Sequence, residues 1–350
     1  MIEKYMRESL KSFQAYVPEP DIYDIKLDAN ENPYNHSDEF LQELKETITS
    51  ELLTRYPDTN SVDLVTEIAD YWKVDSTQVI CGVGSDQIID ATTKLLLNPG
   101  DIGLVPTPSF SMYKHSICLN HGEAIEYSLT NDYNYDIESM IETCKLVKPK
   151  FMIICTPNNP TGNIITNEQL EKVLSHVECP VIVDEAYAEF TDETAIDLIS
   201  KFDNLIILRT FSKSYGLAGA RVGYAVSSKE IIDAIRLCIP PYSLSTFTQI
   251  VAKTSIQGKE NYRKYIKMLK SSKDKLYNIL CEKKQIEKVY PSYANFLLVK
   301  FKNKNVSNKL KEESVLVRDF SNHPLLTNCL RVTIGTETEI NRLLDAIDKL

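Results

Sequence analysis

Long apolar runs are missing from this sequence. No stretch of about 18 apolar residues occurs, which predicts no membrane-crossing helix, and the opening Met-Ile-Glu-Lys-Tyr-Met-Arg has no apolar signal core. Basic runs and arginine-rich helices are missing as well. The net charge is −10, and only nine arginines stand beside 30 lysines, which argues against nucleic acid as the principal partner. Five histidines are present, none in HExxH spacing, so no protein-bound metal is expected. Eight cysteines are scattered without a CxxC pair, several inside apolar runs. That usage suits buried thiols in a reducing compartment, and we expect a cytoplasmic protein.

What remains is ordinary globular composition: 350 residues, 43% hydrophobic and 25% charged. A chain of this length suits one large and one smaller domain. From residue 78 the pattern repeats apolar strand, turn and helix. Gln-Val-Ile-Cys81 leads into Gly82-Val-Gly84-Ser85-Asp86 and a helix ending near Leu97. Gly-Leu-Val-Pro106 leads into Thr-Pro-Ser-Phe110 and another helix. Phe151 to Cys155 runs into Pro-Asn158-Asn159-Pro160-Thr-Gly162, with a capping-box spacing at Thr166-Asn-Glu-Gln169. Val181 to Val183 ends in Asp184-Glu-Ala-Tyr187. This alternation predicts an α/β fold with a mainly parallel sheet covered on both faces. The large domain is expected over residues 40–240, with 1–39 and 241–350 forming an N-terminal arm and a smaller α+β domain. In the latter a long helical stretch, about 245–281, has Gly258 as a possible break, and a last helix opens at Thr336.

The chain is organised around residues 205–226. Leu205 to Leu208 reads as a strand buried on both faces and Val222 to Val226 as a second strand. Between them lie Thr210, Ser212, Lys213, Ser214, two glycines and Arg221. A partly desolvated lysine loses its proton readily and can form a Schiff base, so Lys213 is the candidate for a covalent role. Thr210, Ser212 and Arg221 suit a phosphate. The glycine turn before Ser85 and Asp86 presents free helix-end N–H groups to an anion, although either side chain could equally cap the helix. Asn159, Asp184 and Lys213 each follow the carboxyl end of a different strand, where open α/β sheets bind ligands. In the C-terminal part, Leu330, Val332 and Ile334 share one strand face and Arg331 takes the other. Arg318 ends a similar strand. From pattern alone each of these two arginines suits a ligand anchor or a surface salt bridge equally, as Tyr16 suits packing or function.

Together these motifs resemble the fold-type-I pyridoxal-phosphate (PLP) aminotransferases, and most closely the histidinol-phosphate aminotransferase family. The carriers are Lys-Leu-Asp-Ala-Asn30-Glu-Asn-Pro, Arg-Tyr56-Pro-Asp, Gly-Ser85-Asp86, Pro-Asn-Asn159-Pro-Thr-Gly, Asp184-Glu-Ala-Tyr187, Thr210-Phe-Ser212-Lys213-Ser-Tyr-Gly-Leu-Ala-Gly-Ala-Arg221-Val-Gly-Tyr and Cys-Leu-Arg331-Val-Thr-Ile-Gly-Thr. The resemblance implies that Lys213 carries PLP as a Schiff base and later moves the substrate proton. It implies that Asp184 pairs with the ring nitrogen, that Asn159 and Tyr187 bond the ring oxygen, and that Phe110 stacks on the ring. The phosphate would lie on Ser85, Asp86, Thr210, Ser212 and Arg221, with Tyr56 supplied by the other subunit of a homodimer. Tyr16, Asn30, Arg318 and Arg331 would bind substrate. The implied reaction passes an amino group between L-histidinol phosphate and 2-oxoglutarate, in histidine biosynthesis. Threonine-phosphate decarboxylase and aromatic-amino-acid aminotransferase chemistry are the alternatives on the same scaffold. Two departures from the family pattern are Ser243 in Pro241-Tyr-Ser-Leu-Ser, where asparagine is usual, and Ala220 in place of leucine. They bear on the substrate pocket or on packing.

Overall fold

The computed structural model describes residues 2–11, 19–20 and 22–350. Among them twelve strands form two sheets. In chain order they are β1 (Ile25–Leu27), β2 (Val79–Gly82), β3 (Ile102–Thr107), β4 (Glu123–Ser128), β5 (Phe151–Cys155) and β6 (Val181–Asp184). Then follow β7 (Leu205–Thr210), β8 (Gly223–Val226), β9 (Ile286–Tyr290), β10 (Phe296–Phe301), β11 (Val315–Asp319) and β12 (Cys329–Thr333).

The larger sheet has the order β2-β8-β7-β6-β5-β3-β4. Its middle is parallel, from β4 through β3, β5 and β6 to β7, while β8 pairs antiparallel with both β7 and β2. The unbroken apolar runs are explained by position. Every residue of β5, β6 and β7 is buried, because helices cover both faces of the sheet. The strand β4 carries no such signal: Glu-Ala-Ile-Glu-Tyr-Ser lies at the sheet edge and buries only Tyr127.

The smaller sheet runs β1-β11-β12-β10-β9. Here the N-terminal segment, which reads as an irregular arm, supplies a strand: Ile25 and Leu27 are buried and pair in parallel with β11. Gly258 separates two helices, Thr246–Gln257 and Lys259–Cys281. The capping boxes at Thr166 and Thr336 form, each threonine accepting from the backbone N–H three residues on. Ahead of the larger sheet's first strand lie two helices, Asp38–Thr47 and the short Glu51–Thr54, followed by Val62–Trp72.

Residues on the far side of the site hold its strands together. Arg209, on β7, is about 1% exposed, and its guanidinium lies 2.7 Å from Glu185 and 2.9 Å from Glu189. It also stacks over Trp72 at 4.3 Å, whose indole N–H donates to Tyr224 at 2.7 Å. Burial opposes the charge of Arg209, but the two carboxylates outweigh it and hold the guanidinium protonated. Glu185 and Arg209 adjoin Asp184 and Thr210, so this ion group fixes the ends of β6 and β7 from behind. Removing one member leaves buried charge without its partner. Arg209→Met should therefore cost about 3–5 kcal/mol in denaturant unfolding, whereas the triple change Arg209→Met, Glu185→Gln, Glu189→Gln should recover most of that loss.

Candidate active site

The site lies where the carboxyl ends of β5, β6 and β7 meet the helix Gly84–Leu96 on one side and the smaller sheet on the other. Asp184 is the last residue of β6 and only 3% exposed. Burial lifts its pKa to about 6, against two hydrogen bonds that favour the charge. The Tyr113 hydroxyl donates to Oδ2 at 2.6 Å and the Ala186 N–H donates to Oδ1 at 3.0 Å. Sequence reasoning missed Tyr113. Nothing in the pattern distinguishes it from a core aromatic, and it is one: it is 1% exposed and packs edge-on against Phe110 at 5.4 Å.

Lys213 follows β7 by a short turn and is partly buried. Its Nζ donates to the Ala29 carbonyl at 2.8 Å and lies 6.0 Å from the centroid of the Tyr187 ring. Burial lowers its pKa to about 8, and Arg331 pushes in the same direction. The amine is thereby available as a neutral nucleophile near pH 8.

The anion side of the site depends on two close backbone approaches. Gly84 opens its helix at φ +72, and a Cβ there would fall 2.7 Å from Arg221 Nη2. At Gly223 a Cβ would meet the Ser85 amide nitrogen at 2.4 Å. The start of β8 thus abuts the first turn of the helix, and Arg221 is held in the left-handed region (φ 52) with its carbonyl accepting from Gly84 N–H at 3.1 Å. Its guanidinium reaches Asp86 at 3.2 Å and Ser212 at 3.5 Å, and the hydroxyl of Thr210 donates to Ser212 at 3.0 Å. Neither Ser85 nor Asp86 caps the helix: Val83 is at the cap position, and the Gln87 side chain takes its N–H. That same Gln87 donates to Ser243, one of the two departures from the family pattern, at 3.2 Å.

The smaller sheet closes the site. Arg318 and Arg331 are directly opposite each other in the β11–β12 register. Arg331 is 6% exposed and donates to Asn159 Oδ1 at 2.6 Å and to the Asp28 carbonyl. Asn30 is buried at φ 55; its Nδ2 donates to the Tyr187 hydroxyl at 2.9 Å and its Oδ1 accepts from Thr333 at 3.0 Å. Asn30, expected on the substrate, thus holds Tyr187 with both ends of its amide engaged. Burial raises the Tyr187 phenol to about 12. Tyr56 stands apart, 81% exposed and stacked on Tyr242 at 4.5 Å. Tyr16 lies outside the described residues.

A partly buried amine of lowered pKa, a buried carboxylate and an anion cradle at a helix end together suit covalent carbonyl chemistry on a phosphorylated group. The chain belongs to the class I and II aminotransferases, a PLP-dependent family whose model matches residues 23–347. Within that class it falls in the histidinol-phosphate aminotransferase family. It is 42% identical to the histidinol-phosphate aminotransferase of Ruminiclostridium cellulolyticum, over 99% of this chain and 98% of that one. To the protein of the same name from Thermoanaerobacter sp. it is 37% identical, over 100% and 99%. The histidinol-phosphate aminotransferase of Sinorhizobium meliloti, solved in complex with pyridoxal-5'-phosphate, has the same fold, with a TM-score of 0.90 at 19% identity, covering 98% of each chain.

Two measurements address the electrostatics. In cofactor-free protein, reductive trapping of an added aldehyde on Lys213 should rise about tenfold per pH unit and level off near pH 8, where the amine has lost its proton. A plateau only above about pH 10 would show an unperturbed lysine. Tyr113→Phe removes a bond to the charged form of Asp184, so the carboxyl pKa, followed by carbon NMR, should rise above its starting value of about 6.

Proposed function

We propose that this protein transfers an amino group between L-histidinol phosphate and 2-oxoglutarate, with PLP bound through Lys213. The observation that carries the substrate assignment is the cross-strand pair Arg318 and Arg331, close enough to Lys213 for Arg331 to depress its pKa. The residues present also fit the cofactor. The Gly84 and Gly223 approaches leave no room for side chains and put the Ser85 amide beside the start of β8, which together with the linked Thr210, Ser212 and Arg221 supports a phosphate site completed by the Asp86 amide.

When bound, PLP supplies an electron-accepting ring that makes the α-proton of an attached amine acidic. The chain supplies the rest. Asp184 would pair as a carboxylate with the ring nitrogen and keep it protonated, the ring cation offsetting the burial that raises its pKa, and Tyr113 holds the carboxylate in place. Asn159 and Tyr187 would bond the ring oxygen, each braced by a residue that reaches the site with the smaller sheet: Arg331 on β12 and Asn30 just beyond β1. Phe110 would stack on one ring face. Lys213, as the freed amine, would take the proton from the substrate Cα and deliver it to C4′ of the cofactor.

Histidinol phosphate presents a phosphate ester where glutamate presents a carboxylate. Two guanidinium forks accept either, and a phosphate engages more of their donors. Tyr16 and Asn30 belong to the same substrate region in this reading. We place Tyr56 at the cofactor phosphate of a second copy of the chain. Its exposure supports this, together with that of Leu53 (85%), Leu237 (83%) and Phe247 (51%). The eight free cysteines, and the lack of any described helix long and apolar enough to span a membrane, support a cytoplasmic enzyme.

Borohydride reduction followed by peptide mass analysis should place the cofactor on Lys213, and Lys213→Ala should bind it only non-covalently; a label on another lysine overturns the assignment. In single half-reactions, Arg318→Gln should harm histidinol phosphate more than glutamate, while Arg331→Gln should harm both. The expected loss is about tenfold to a hundredfold in kcat/KM, the equivalent of ~1.5–3 kcal/mol per charged hydrogen bond. Carbon dioxide release from phosphothreonine, or tyrosine turning over as fast as histidinol phosphate, would replace the substrate assignment and leave the cofactor assignment standing. Mixed dimers of inactive Tyr56→Ala and Lys213→Ala chains should regain activity, since one of their two sites is intact at both positions.

A further inference from the structure

Two of the free cysteines touch. Cys144 occupies the last turn of the helix Ile137–Val147, and Cys179 immediately precedes Pro180 and β6. Their sulfur atoms are 3.7 Å apart, which is van der Waals contact. Both are free thiols; Cys144 is buried and Cys179 partly exposed. Their backbones are anchored independently. The Lys148 N–H donates to the Cys144 carbonyl at 2.9 Å, and the Asn204 amide donates to the Cys179 carbonyl at 3.2 Å.

We propose that Cys144 and Cys179 are a reversible modification site, oxidised to an intramolecular disulfide by hydroperoxides. The sulfurs need to close to about 2.05 Å, which small side-chain rotations and a shift of the terminal helical turn can supply. The step balances as two thiols and one peroxide giving one disulfide and two waters. The Cys144 thiolate attacks a peroxide oxygen; the S–O bond forms as the O–O bond breaks, and hydroxide leaves with a proton as water. The Cys179 thiol then attacks that sulfur; the S–S bond forms as the S–O bond breaks, and the departing hydroxide takes the Cys179 proton and leaves as a second water.

The chemistry of the neighbours makes the reaction selective. The Cys179 S–H donates to Cys144 and holds its pKa below the usual thiol range. The same bond and burial push Cys179 up, so the reaction with peroxide starts at Cys144; burial likewise pushes Cys81 and Cys155 up to about 12 and Cys329 to about 11, which keeps them from starting one. The bridge would close a loop that contains β5 and the helix Asn167–Leu174. It lies at the amino end of β6, the end opposite Asp184, so it should stiffen the sheet without altering the site.

The test uses the intact protein with its cofactor, treated with hydrogen peroxide and then alkylated under denaturing conditions. Peptide mapping should find one disulfide-linked pair containing Cys144 and Cys179, and thiol titration should fall by two. The melting temperature should rise by about 5 °C, the size expected from closing a loop of about 35 residues in a chain of this length. Dithiothreitol should reverse the shift, and aminotransferase activity should be retained. Cys179→Ser should show neither the linked peptide nor the shift, and the wild-type peptide map stands as evidence even if that variant folds poorly. A map with Cys144 and Cys179 still reduced or singly over-oxidised, a bridge between other cysteines, or the same thermal shift in Cys179→Ser would overturn the proposal.

Discussion

The carboxylate of Asp184 is taken out of water by the strand that carries it, and much of the surrounding structure answers that cost. β6 is buried along its whole length between β5 and β7. An ionised group there is disfavoured unless hydrogen bonds meet it, and Tyr113 and the Ala186 N–H do so. The next residue, Glu185, is also buried, and its charge is met by Arg209 on the other side of the sheet. Two successive carboxylates, the last residue of β6 and the one after it, thus face opposite layers. The first is left able to exchange a proton with a ligand, while the second is committed to an ion group that holds the strand ends in register.

The same logic joins the two sheets. Arg331 comes from the smaller sheet, yet its guanidinium is anchored on Asn159 beyond β5 of the larger one. Asn30, just beyond β1, reaches Tyr187 after β6. The polar groups that would meet the cofactor ring are therefore positioned by residues that arrive with the other sheet. Closure of the site and its polarity are one structural event: separating the sheets would leave Asn159, Tyr187 and Arg331 without these partners in a largely dry interior.

Much of this was legible in the chain. The fully apolar runs at Phe151–Cys155, Val181–Val183 and Leu205–Leu208 announced a parallel sheet, because only strands covered on both faces can dispense with polar alternation. The glycine turn before Ser85, the polar residues ending β6 and β7, and the capping boxes at Thr166 and Thr336 are local signals that the structure keeps. The edge strand β4 gave no such signal, since it buries a single side chain and its pattern is that of a loop. The N-terminal strand β1 is too short to show a period, and exists because β11 offers it a partner.

Which residue types occur near the strand ends follows from the chain alone, since a lysine, an aspartate and a cluster of hydroxyls between buried runs have few places to go. Their protonation and their partners depend on packing between distant segments. Tyr113 looks like any core aromatic until its hydroxyl meets Asp184. Arg318 and Arg331 become a pair only when β11 and β12 fall into antiparallel register. Cys144 and Cys179 come into contact only because a helix end packs beside the start of β6. Local pattern reports burial and chain direction, which are set by neighbours in sequence. Register, desolvation and side-chain contact are set by residues far apart in the chain, and these are the quantities that turn the strand ends into a site.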